Sequence, residues 1–424
     1  MKLESKEIVQ GIKIHPIKTD KFKTDLSAIF VTVPLAKETV TIDCVVPAVL
    51  RRGTRNYKTQ EEINKRLEEM YGVTFDCGIE KTGDNHVIKF YAESINNNFI
   101  PNKENLLKEQ LEMLFEIVFN PLLENGIFKE EYVASEKENI RQKIRAKIDS
   151  KEQYAVDKCI EAMYEDSPYA LYKYGNEEDL DGIDSKNLYS RYEEIKQNAK
   201  IDIYVSGDYD ESELEEFVRE KINKLELKPR DPQYIQNNEQ TEKKKEVETK
   251  ILEEKLDVAQ GKLVLGLDIM ENREGARFAI GLYNVILGES ANSKLFQNVR
   301  EKASLAYTAR STYIRQKNNI FIKCGIEVPN YEKALEIIKQ QLEDMKQGNF
   351  TDEDIDNAKK FMANGINSVE EEQDTEITYY MGQELSGLNT SLEQYLKEVQ
   401  NVTREQIMDI ANKVQINTIL FLRN

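Results

Sequence analysis

The sequence is poor in the residues that most metal sites and disulfide bonds require. Its 424 residues include two histidines, and neither His15 nor His86 lies four residues from another histidine, so no helix face offers a histidine pair to a metal ion. We expect each to be an ordinary strand residue. The cysteines form no C-x-x-C pair, which favours reduced, mostly buried thiols. They are Cys44, Cys77, Cys159 and Cys324.

Long apolar runs and an excess of positive charge are also missing. No stretch of about 18 apolar residues is present, so no transmembrane helix is expected. The N-terminal segment lacks the apolar core of a signal peptide. We therefore expect a cytoplasmic protein without a membrane partner. The formal net charge of −18 argues against a nucleic-acid partner. It could attract basic peptides, but simple solubility is the plainer interpretation.

What is present is a long chain with the composition of a globular protein and a faint internal repeat. Hydrophobic residues make up 40% and charged residues 32%, and the length suggests two domains. Segments 126–140 and 348–362 share a Gly-x-Phe followed by an acidic helix start, with their phenylalanines 222 positions apart. Segments 185–207 and 403–424, offset by 218, each predict an N-capped helix followed by a strand. Two matches at nearly one offset favour a duplicated domain.

The boundary between the two copies is placed at segment 227–250. This segment combines two prolines, a polar tract and a run of lysines, which is typical of a solvated linker. We therefore predict an N-terminal domain at 1–226, this linker, and a C-terminal domain at 251–424.

Within each copy, strands come first and helices follow, which favours an α+β fold over a doubly wound parallel sheet. We predict two homologous, α/β-sandwich-like domains, each an antiparallel or mixed sheet packed with helices. A capping box that starts at Thr59 indicates where the first of the predicted helices begins. The predicted strands are 26–33, 73–79, 85–95, 261–270, 306–314 and 319–327. The predicted helices include 58–71, 104–119, 129–165, 276–287 and 293–302.

The most specific motif is the segment NVILGESANSKLFQNVREKASLAYTARSTY, residues 284–313. It resembles the second domain of the pitrilysin, insulinase and mitochondrial-processing-peptidase family. The matching residues are Leu287, Gly288, Ser293, Leu295, Phe296, Val299, Arg300, Glu301, Lys302, Leu305, Ala306 and Tyr307. The chain departs from the family's glycine-rich turn at Glu289, Ser290 and Ala291, and from its usual arginine at Lys294. The resemblance spans essentially the whole chain and implies one half of a clam-shell peptidase chamber.

The first domain of the family normally holds zinc on a helix with the inverted motif H-x-x-E-H, followed after four residues by Gly-Thr. The two histidines bind the metal, and the glutamate activates its water. Counting back from the Gly-Thr at position 53 puts Cys44, Pro47 and Ala48 at these positions, where none can replace the original residue. The family's distant glutamate ligand falls near Ser135–Glu136, and we expect Glu136 to be a helix-surface residue. The resemblance thus implies no metal in this chain and no hydrolysis by it alone.

The proline in this former motif helix also predicts altered geometry. Pro47 has no N–H and clashes with the carbonyl four residues back, at a cost of about 3 kcal/mol in a helix interior. We therefore predict that the helix over 40–51 kinks or restarts near Pro47.

Arg300 and Tyr307 stand where the family keeps an Arg/Tyr pair that holds the substrate. A guanidinium and a phenol can bind a substrate carbonyl and stabilise the oxyanion that develops at the scissile bond. The alternative is structural, with Arg300 in a helix-surface salt bridge and Tyr307 in the core. Inside this motif we favour the substrate-binding interpretation.

Loss of the zinc ligands beside a retained Arg/Tyr pair predicts a division of labour. The resemblance implies a non-catalytic, substrate-binding subunit that pairs with a homologous H-x-x-E-H zinc peptidase around a peptide or protein substrate. No cofactor is expected in this chain, since the zinc would belong to the partner. Among bacterial relatives, it most resembles the inactive insulinase-like proteins associated with aminopentanol modification of elongation factor P. The alternatives are a structural or assembly protein and a stand-alone peptide-binding homodimer.

Overall fold

The computed structural model of the chain describes residues 3–101, 105–231, 234, 247–271 and 273–424. It has the predicted α+β architecture, with two mixed β-sheets packed against helices. The first sheet is built from residues before the predicted linker, and the second from residues at its end and beyond. Most of that linker, residues 232–233 and 235–246, lies outside the described residues.

Among the described residues, the first sheet contains six strands and is accompanied by a two-strand ribbon. In chain order the strands are β1 Lys6–Val9, β2 Ile12–Lys18, β3 Thr24–Pro34, β4 Thr74–Thr82, β5 Asn85–Ile95, β6 Leu123–Glu124, β7 Ile127–Phe128 and β8 Lys200–Gly207. The sheet has the order β1-β2-β8-β3-β5-β4, and β6 pairs with β7 in the ribbon. β2 and β8 are parallel, and the other neighbours are antiparallel. Ile29 of β3 lies opposite Ile203 of β8 and Phe90 of β5.

The second sheet repeats this arrangement with five strands in the described part of the chain. They are β9 Lys250–Lys255, β10 Gly261–Ile269, β11 Ala306–Ile314, β12 Asn319–Ile326 and β13 Val414–Arg423. Their order, β9-β13-β10-β12-β11, corresponds to β2-β8-β3-β5-β4 of the first sheet, and again the first pair is parallel. Leu265 of β10 lies opposite Ile419 of β13 and Ile322 of β12. The shared topology agrees with a duplicated unit.

Helices cover both sheets. The α-helices before the predicted linker are α1 Val40–Leu50, α2 Gln60–Glu69, α3 Leu106–Phe119, α4 Glu130–Arg145, α5 Lys151–Met163, α6 Ser185–Asn198 and α7 Glu211–Lys224. Those after it are α8 Arg273–Asn284, α9 Tyr331–Lys346, α10 Asp352–Asn367, α11 Gln373–Leu385, α12 Leu392–Asn401 and α13 Arg404–Asn412. Two π-helical segments, Val285–Glu289 and Phe296–Lys302, follow α8. None of the helices in the described ranges has both the length and the apolar character that a membrane span requires.

The helix starts predicted from side-chain caps are confirmed. Thr59 Oγ1 accepts the Glu62 N–H at 3.2 Å at the start of α2, while the Glu62 carboxylate accepts the Lys58 N–H at 2.6 Å. Asp184 and Thr403 form complete capping boxes at the starts of α6 and α13. Thr403 is the first residue of its repeated segment, and Asp184 immediately precedes the matching one. Each helix leads into a strand, β8 or β13, as predicted.

The other pair of repeated segments shares its backbone geometry. Gly126 and Gly348 have φ values of 81° and 73°, a conformation that favours glycine because it has no Cβ. Phe128 and Phe350, two residues further on, are buried in their respective cores. α4 and α10 each begin two residues after that phenylalanine. The similarity seen in the sequence is therefore a similarity of structure.

Three predicted helix spans are wrong in detail. The helix predicted at 129–165 is two helices, α4 and α5, separated by a 3₁₀ turn at Ala146–Asp149. The break is needed because α4 packs against α1, whereas α5 packs against β10 and β13 of the other sheet. The helices predicted at 276–287 and 293–302 both include π-helical segments. Apolar periodicity alone does not reveal a change in backbone hydrogen bonding.

Each sheet has one face covered by a helix from the other half of the chain. α5 lies on β10 and β13, and α11 lies on β3 and β8. The first contact buries the apolar set Ala155, Val156, Cys159, Ile160, Tyr169, Val258, Val264, Phe321, Leu420 and Leu422. The second buries Ile17, Leu26, Ala28, Phe30, Val87, Tyr204, Ile377, Met381 and Leu385. The two helices are thus exchanged between the halves and join them through apolar contact.

Polar contacts fix both ends of α11 on the first sheet. At its start, Gln373 Nε2 donates to the Ser206 carbonyl at 2.8 Å. At its end, Glu384 Oε1 accepts from Lys13 at 2.7 Å and from Lys200 at 2.8 Å. Between these anchors lies Glu376, which is 7% exposed. A carboxylate at such a position is costly when ionised.

We expect Glu376 to contribute less to the stability of the folded chain as pH rises toward neutrality. Burial, reinforced by the Glu370 charge, raises the pKa of Glu376 from 4.5 to about 7. Because the folded state holds this proton more tightly than the unfolded state, the stabilisation is complete below 4.5 and is lost as pH rises through about 7. Glu376→Gln should therefore raise the free energy of unfolding by about 1–3 kcal/mol at about pH 8.5 and change it little at about pH 4. Denaturant titrations at the two pH values measure the difference.

Glu384→Gln is the matched control on the same helix. Burial opposes ionisation there, but the charge of Lys200, with the hydrogen bonds from Lys13 and Lys200, lowers the pKa of Glu384. Its ionised form is the stabilising one, so this variant should be less stable at high pH, with the loss shrinking in acid. A Glu376→Gln chain no more stable than the parent at high pH would contradict the buried-acid interpretation.

Candidate functional site: a degenerate metal position and an exposed Arg/Tyr pair

The helix that carries the three former metal positions is buried in the first half of the chain. Val45, Val46, Val49 and Leu50 of α1 belong to its main core. Pro47 lies inside α1, which continues to Leu50, so the predicted restart is wrong; a kink without a break stays a prediction. Pro47 falls near the end of the helix, and apolar burial of its neighbours offsets the hydrogen bond that it cannot donate.

At the first former ligand position, Cys44 is a neutral thiol in the protein interior. Its Sγ lies 3.0 Å from the carbonyl oxygens of Val40 and Lys173, and either can accept the S–H proton. Burial, reinforced by a neighbouring carboxylate, raises the pKa of Cys44 well above its usual value. At the other two positions, Pro47 is buried and Ala48 half-buried, and neither side chain has a donor atom. These positions therefore supply no thiolate, imidazole or carboxylate to a metal.

Glu136, at the position of the family's distant glutamate ligand, is not the surface residue that we expected. It is buried, with 7% exposure, because α4 packs this face toward α1. Arg52 Nη1 donates to Glu136 Oε1 at 3.0 Å, and Asn139 Nδ2 donates to Oε2 at 3.0 Å. Arg52 also lies over the Tyr132 ring, 4.9 Å from its centre. The prediction failed because Arg52 is 84 positions away, while the local sequence is charged on all sides.

This ion pair lines an open cleft of about 500 Å³ between the end of α1 and one face of α4. The charged and amide side chains on it include Arg51, Arg52, Glu136, Asn139, Gln142 and Lys143. Three cations face a single carboxylate among these described residues, so the cleft is locally positive in a chain with a net charge of −18.

These residues do not fit zinc. Structural and catalytic zinc sites need three or four thiolate, imidazole or carboxylate ligands at about 2.0–2.3 Å. Within the ranges that the structure describes, no three His, Cys, Asp or Glu side chains come close enough together to hold a metal ion. Glu136 already accepts hydrogen bonds at both oxygens, so even this retained carboxylate is engaged by protein donors.

Both histidines lie in strands, as expected, and make buried polar contacts. In β2, His15 Nε2 lies 2.8 Å from Asp202 Oδ1, and the imidazole stacks on the Tyr204 ring with the centres 4.1 Å apart. In β5, His86 Nε2 lies 3.0 Å from the Lys173 carbonyl. Since a carbonyl can only accept, His86 carries its proton on Nε2 in this contact. These hydrogen bonds hold both imidazole rings in fixed positions within the first half of the chain.

A buried ion pair beside the former metal position was not predicted. Arg191 of α6 donates from Nε to Asp43 Oδ1 at 2.7 Å and from Nη2 to Oδ2 at 3.2 Å. His86 Nδ1 lies 3.7 Å from the same Oδ2. A signal was available, because Asp43 is the one charged residue in the largely apolar sequence of α1 and a buried charge requires a partner. The pair attaches α1 to α6.

Arg300 lies in the π-helical segment Phe296–Lys302, and its side chain is 44% exposed. Its guanidinium carbon is 4.5 Å from the centre of the Phe296 ring, and Nε is 3.6 Å from Glu301 Oε1. An exposed pair at this distance contributes between about 0 and 1 kcal/mol. The intrachain contacts therefore leave the guanidinium open to other partners.

Tyr307 lies near the start of β11 and is 71% exposed, so the alternative that placed it in the core is wrong. Ala306 and Ala309 of the same strand are buried, which anchors the backbone that presents the phenol. β11 is an edge strand of the second sheet, and the π-helical segment with Arg300 packs against it. The two residues thus lie on adjoining elements with open side chains.

Known proteins of similar sequence and structure identify the class. Residues 182–362 match the family model of the peptidase M16 inactive domain. The probable inactive metalloprotease YmfF of Bacillus subtilis is 35% identical over 415 residues, covering 97% of this chain and 96% of that protein. A crystal structure of a conserved protein from Enterococcus faecalis is 25% identical with a TM-score of 0.88, over 100% of this chain and 98% of that one. The Pseudomonas fluorescens peptidase M16 inactive domain has a TM-score of 0.79 at 17% identity, over 99% and 98%.

The chain therefore belongs to the M16 family of metallopeptidases, the pitrilysin and insulinase family that its motif resembles. Within that family it is an inactive homologue, without catalysis of its own. The predicted family, the α+β fold and the non-catalytic character are thereby confirmed.

We expect the purified chain to hold far less than one zinc ion and to cleave no peptide, since α1 offers no ligand pair. Restoring the motif with Cys44→His, Pro47→Glu and Ala48→His should give weak zinc binding, because Arg52 still occupies Glu136. Adding Arg52→Ala should free that carboxylate and tighten zinc binding by about tenfold or more. Metal analysis after dialysis and competition with a chelator measure both effects.

Arg51→Ala in the same restored chain is the matched control. It removes a neighbouring cation of the cleft that forms no ion pair with Glu136, so it tests charge without freeing the carboxylate. Equal tightening by both arginine variants would contradict a specific block by Arg52. About one zinc per wild-type chain after dialysis would contradict the whole assignment.

Proposed function

We propose that this chain is the non-catalytic, substrate-binding subunit of a heterodimeric M16 metallopeptidase. In this proposal it pairs with a homologous H-x-x-E-H subunit that holds the zinc, and it supplies Arg300 and Tyr307 to the peptide bound there. The exposure of Tyr307 carries the proposal.

An exposed tyrosine side chain contributes little to the stability of the fold. A buried large apolar or aromatic side chain contributes about 1.5–3 kcal/mol through the hydrophobic effect, and Tyr307 forgoes most of this at 71% exposure. Open aromatic side chains with one polar end are enriched where proteins bind other molecules. An external partner for Tyr307 is therefore the better explanation of its position.

The chemistry of the two side chains suits a peptide whose carbonyl is under attack. The Arg300 guanidinium holds a permanent positive charge and several donors, and the Tyr307 hydroxyl donates one hydrogen bond. Such donors stabilise the negative charge that develops on a carbonyl oxygen. Both residues are open to solvent on adjoining elements, so a peptide presented by another subunit could reach them.

The state of the first half supports the same division of labour. Cys44 is a buried thiol, and Glu136 is engaged by Arg52 and Asn139. The metal therefore has to come from another chain if peptide cleavage occurs at all. This feature favours a partnership over a stand-alone peptidase, and the Arg/Tyr pair favours a part in the reaction over a purely structural role.

In a complex with its H-x-x-E-H partner, Arg300→Ala or Tyr307→Phe should lower kcat by about 10²–10³-fold without preventing assembly. This is the usual effect of removing one donor to an oxyanion, roughly 3–4 kcal/mol. An exposed surface contact would be worth about 0–1 kcal/mol of stability and would leave turnover unchanged. A peptide-cleavage assay, with gel filtration to verify assembly, measures the two outcomes.

Arg219→Ala and Tyr71→Phe are suitable controls. The Arg219 side chain is 45% exposed, almost the same fraction as the Arg300 side chain. Tyr71 is also an exposed tyrosine, at 43%. Both control complexes should cleave at the parent rate. If the Arg300 and Tyr307 complexes also form and cleave at that rate, the chain is a structural half of the chamber. If the chain forms only homodimers and binds peptides without cleavage, the heterodimer is wrong.

A further inference from the structure

The cleft between α1 and α4 contains cations that the chain itself does not neutralise. Arg52 already has partners within the chain, because it forms an ion pair with Glu136 and lies over the Tyr132 ring. Among the described residues, no carboxylate lies within ion-pair distance of Arg51 or Lys143, although both line the same cleft. Both side chains are therefore available to an anion from outside the chain.

Both cations lie close enough to the neighbouring strand to influence one of its residues. Cys77 of β4 lies beside the end of α1, with its Sγ 3.5 Å from the Pro47 carbonyl. Burial raises the pKa of the Cys77 thiol to about 11; the Asp76 and Glu136 charges act in the same direction, while the Arg51 and Lys143 charges act in the opposite one. Arg51 and Lys143 therefore act on the same part of the structure and are not dispersed over the surface.

The side chains that line the cleft include charged and hydrogen-bonding groups suited to binding a small ligand. Arg51 follows directly on the last turn of α1, and Lys143 shares one face of α4 with Asn139 and Glu136. Amide groups of Asn139 and Gln142 add hydrogen-bonding capacity beside the two cations. A volume of about 500 Å³ suits one or two amino-acid residues, within the usual range of small-ligand sites.

We propose that this cleft, at the degenerate metal position, binds the carboxylate of a peptide through Arg51 and Lys143. A guanidinium fork matches the two oxygens of a carboxylate, and the ammonium adds a second charge-assisted hydrogen bond. The carboxylate comes from an acidic side chain or from the C-terminus of the peptide. The general acidity of the chain excludes large polyanions, which the rest of the surface would repel.

The proposal rests on the proposed function in one respect, namely that the ligand is a peptide. It differs in site and in what is measured. Arg300 and Tyr307 are tested by turnover in the complex, whereas the cleft is tested by direct binding to this chain alone. Arg300→Ala should leave the cleft's affinity unchanged, so failure of either proposal can be recognised separately.

Three N-acetylated pentapeptides of one alanine-rich sequence serve as probes. The first has one glutamate and an amidated C-terminus, the second has glutamine and a free C-terminal carboxylate, and the third has glutamine and an amidated C-terminus. Calorimetry on the full chain should show binding of the first or the second probe, which identifies the source of the carboxylate, and none of the third. Because the contacts are partly exposed, raising the salt from about 0.05 to 0.5 M should weaken binding several-fold.

Arg51→Gln with Lys143→Gln should weaken binding of the preferred probe by about tenfold or more. Lys18→Gln with Lys37→Gln removes the same charge from exposed positions elsewhere in this half and should change the affinity less than twofold. Arg51→Lys with Lys143→Arg keeps both charges and should retain most of the binding. Equal affinity for the neutral probe, equal loss in both charge-removing variants, or no binding of either acidic probe would overturn the proposal.

Discussion

Each half of the chain contributes one helix, α5 or α11, that covers the sheet of the other half, and the rest of the structure depends on this reciprocal contact. Side chains alternate along β3, so that Ile29 and Val31 enter the core of the first half while Ala28 and Phe30 face α11. A sheet with two apolar faces needs a cover on each, and neither half supplies both covers itself. The halves therefore stabilise each other through reciprocal burial, whatever the path of the chain between them.

This exchange also connects the two regions considered for function. α4 forms one wall of the cleft, and the chain then turns at Ala146–Asp149 so that α5 can reach the second sheet. At the start of α5, Glu152 pairs with Arg310 of β11, the strand that presents Tyr307. The positive cleft and the exposed tyrosine are thus linked through one helix and one ion pair.

Much of this could be predicted from local features of the sequence. Alternating apolar residues predicted the strands, and side-chain caps such as Thr59 and Thr403 predicted helix starts. The family resemblance, counted back from Gly53, implied that Cys44, Pro47 and Ala48 stand at the metal positions. What could not be predicted depends on residues far apart. The chain breaks between α4 and α5 because α5 packs on the second sheet. The burial of Glu136 depends on Arg52, which is 84 positions away.

The family's metal position has changed in more than its ligands. Ligand loss alone would leave Glu136 as a buried carboxylate without a counter-charge, which is costly in a low-dielectric interior. Arg52 and Asn139 satisfy its two oxygens, so the fold can keep this acid in the absence of a cation. Meanwhile Asp43 and Arg191 hold α1 against α6 through a buried pair that needs no metal. Within the chain, Arg52 and Arg191 thus neutralise the buried carboxylates of Glu136 and Asp43.

The cleft carries more positive charge than the neutralisation of the Glu136 carboxylate requires. Helix C-termini favour nearby cations, which would account for Arg51 at the end of α1 and Lys143 in the last turn of α4 at about 0.3–1 kcal/mol each. A helix end, however, is stabilised by a cation at any side of the helix, and here both cations line one cleft together with amide side chains. Electrostatic compensation explains why the cations are tolerated at these positions. Their position on a shared cleft is what the carboxylate of the proposed peptide ligand would complement.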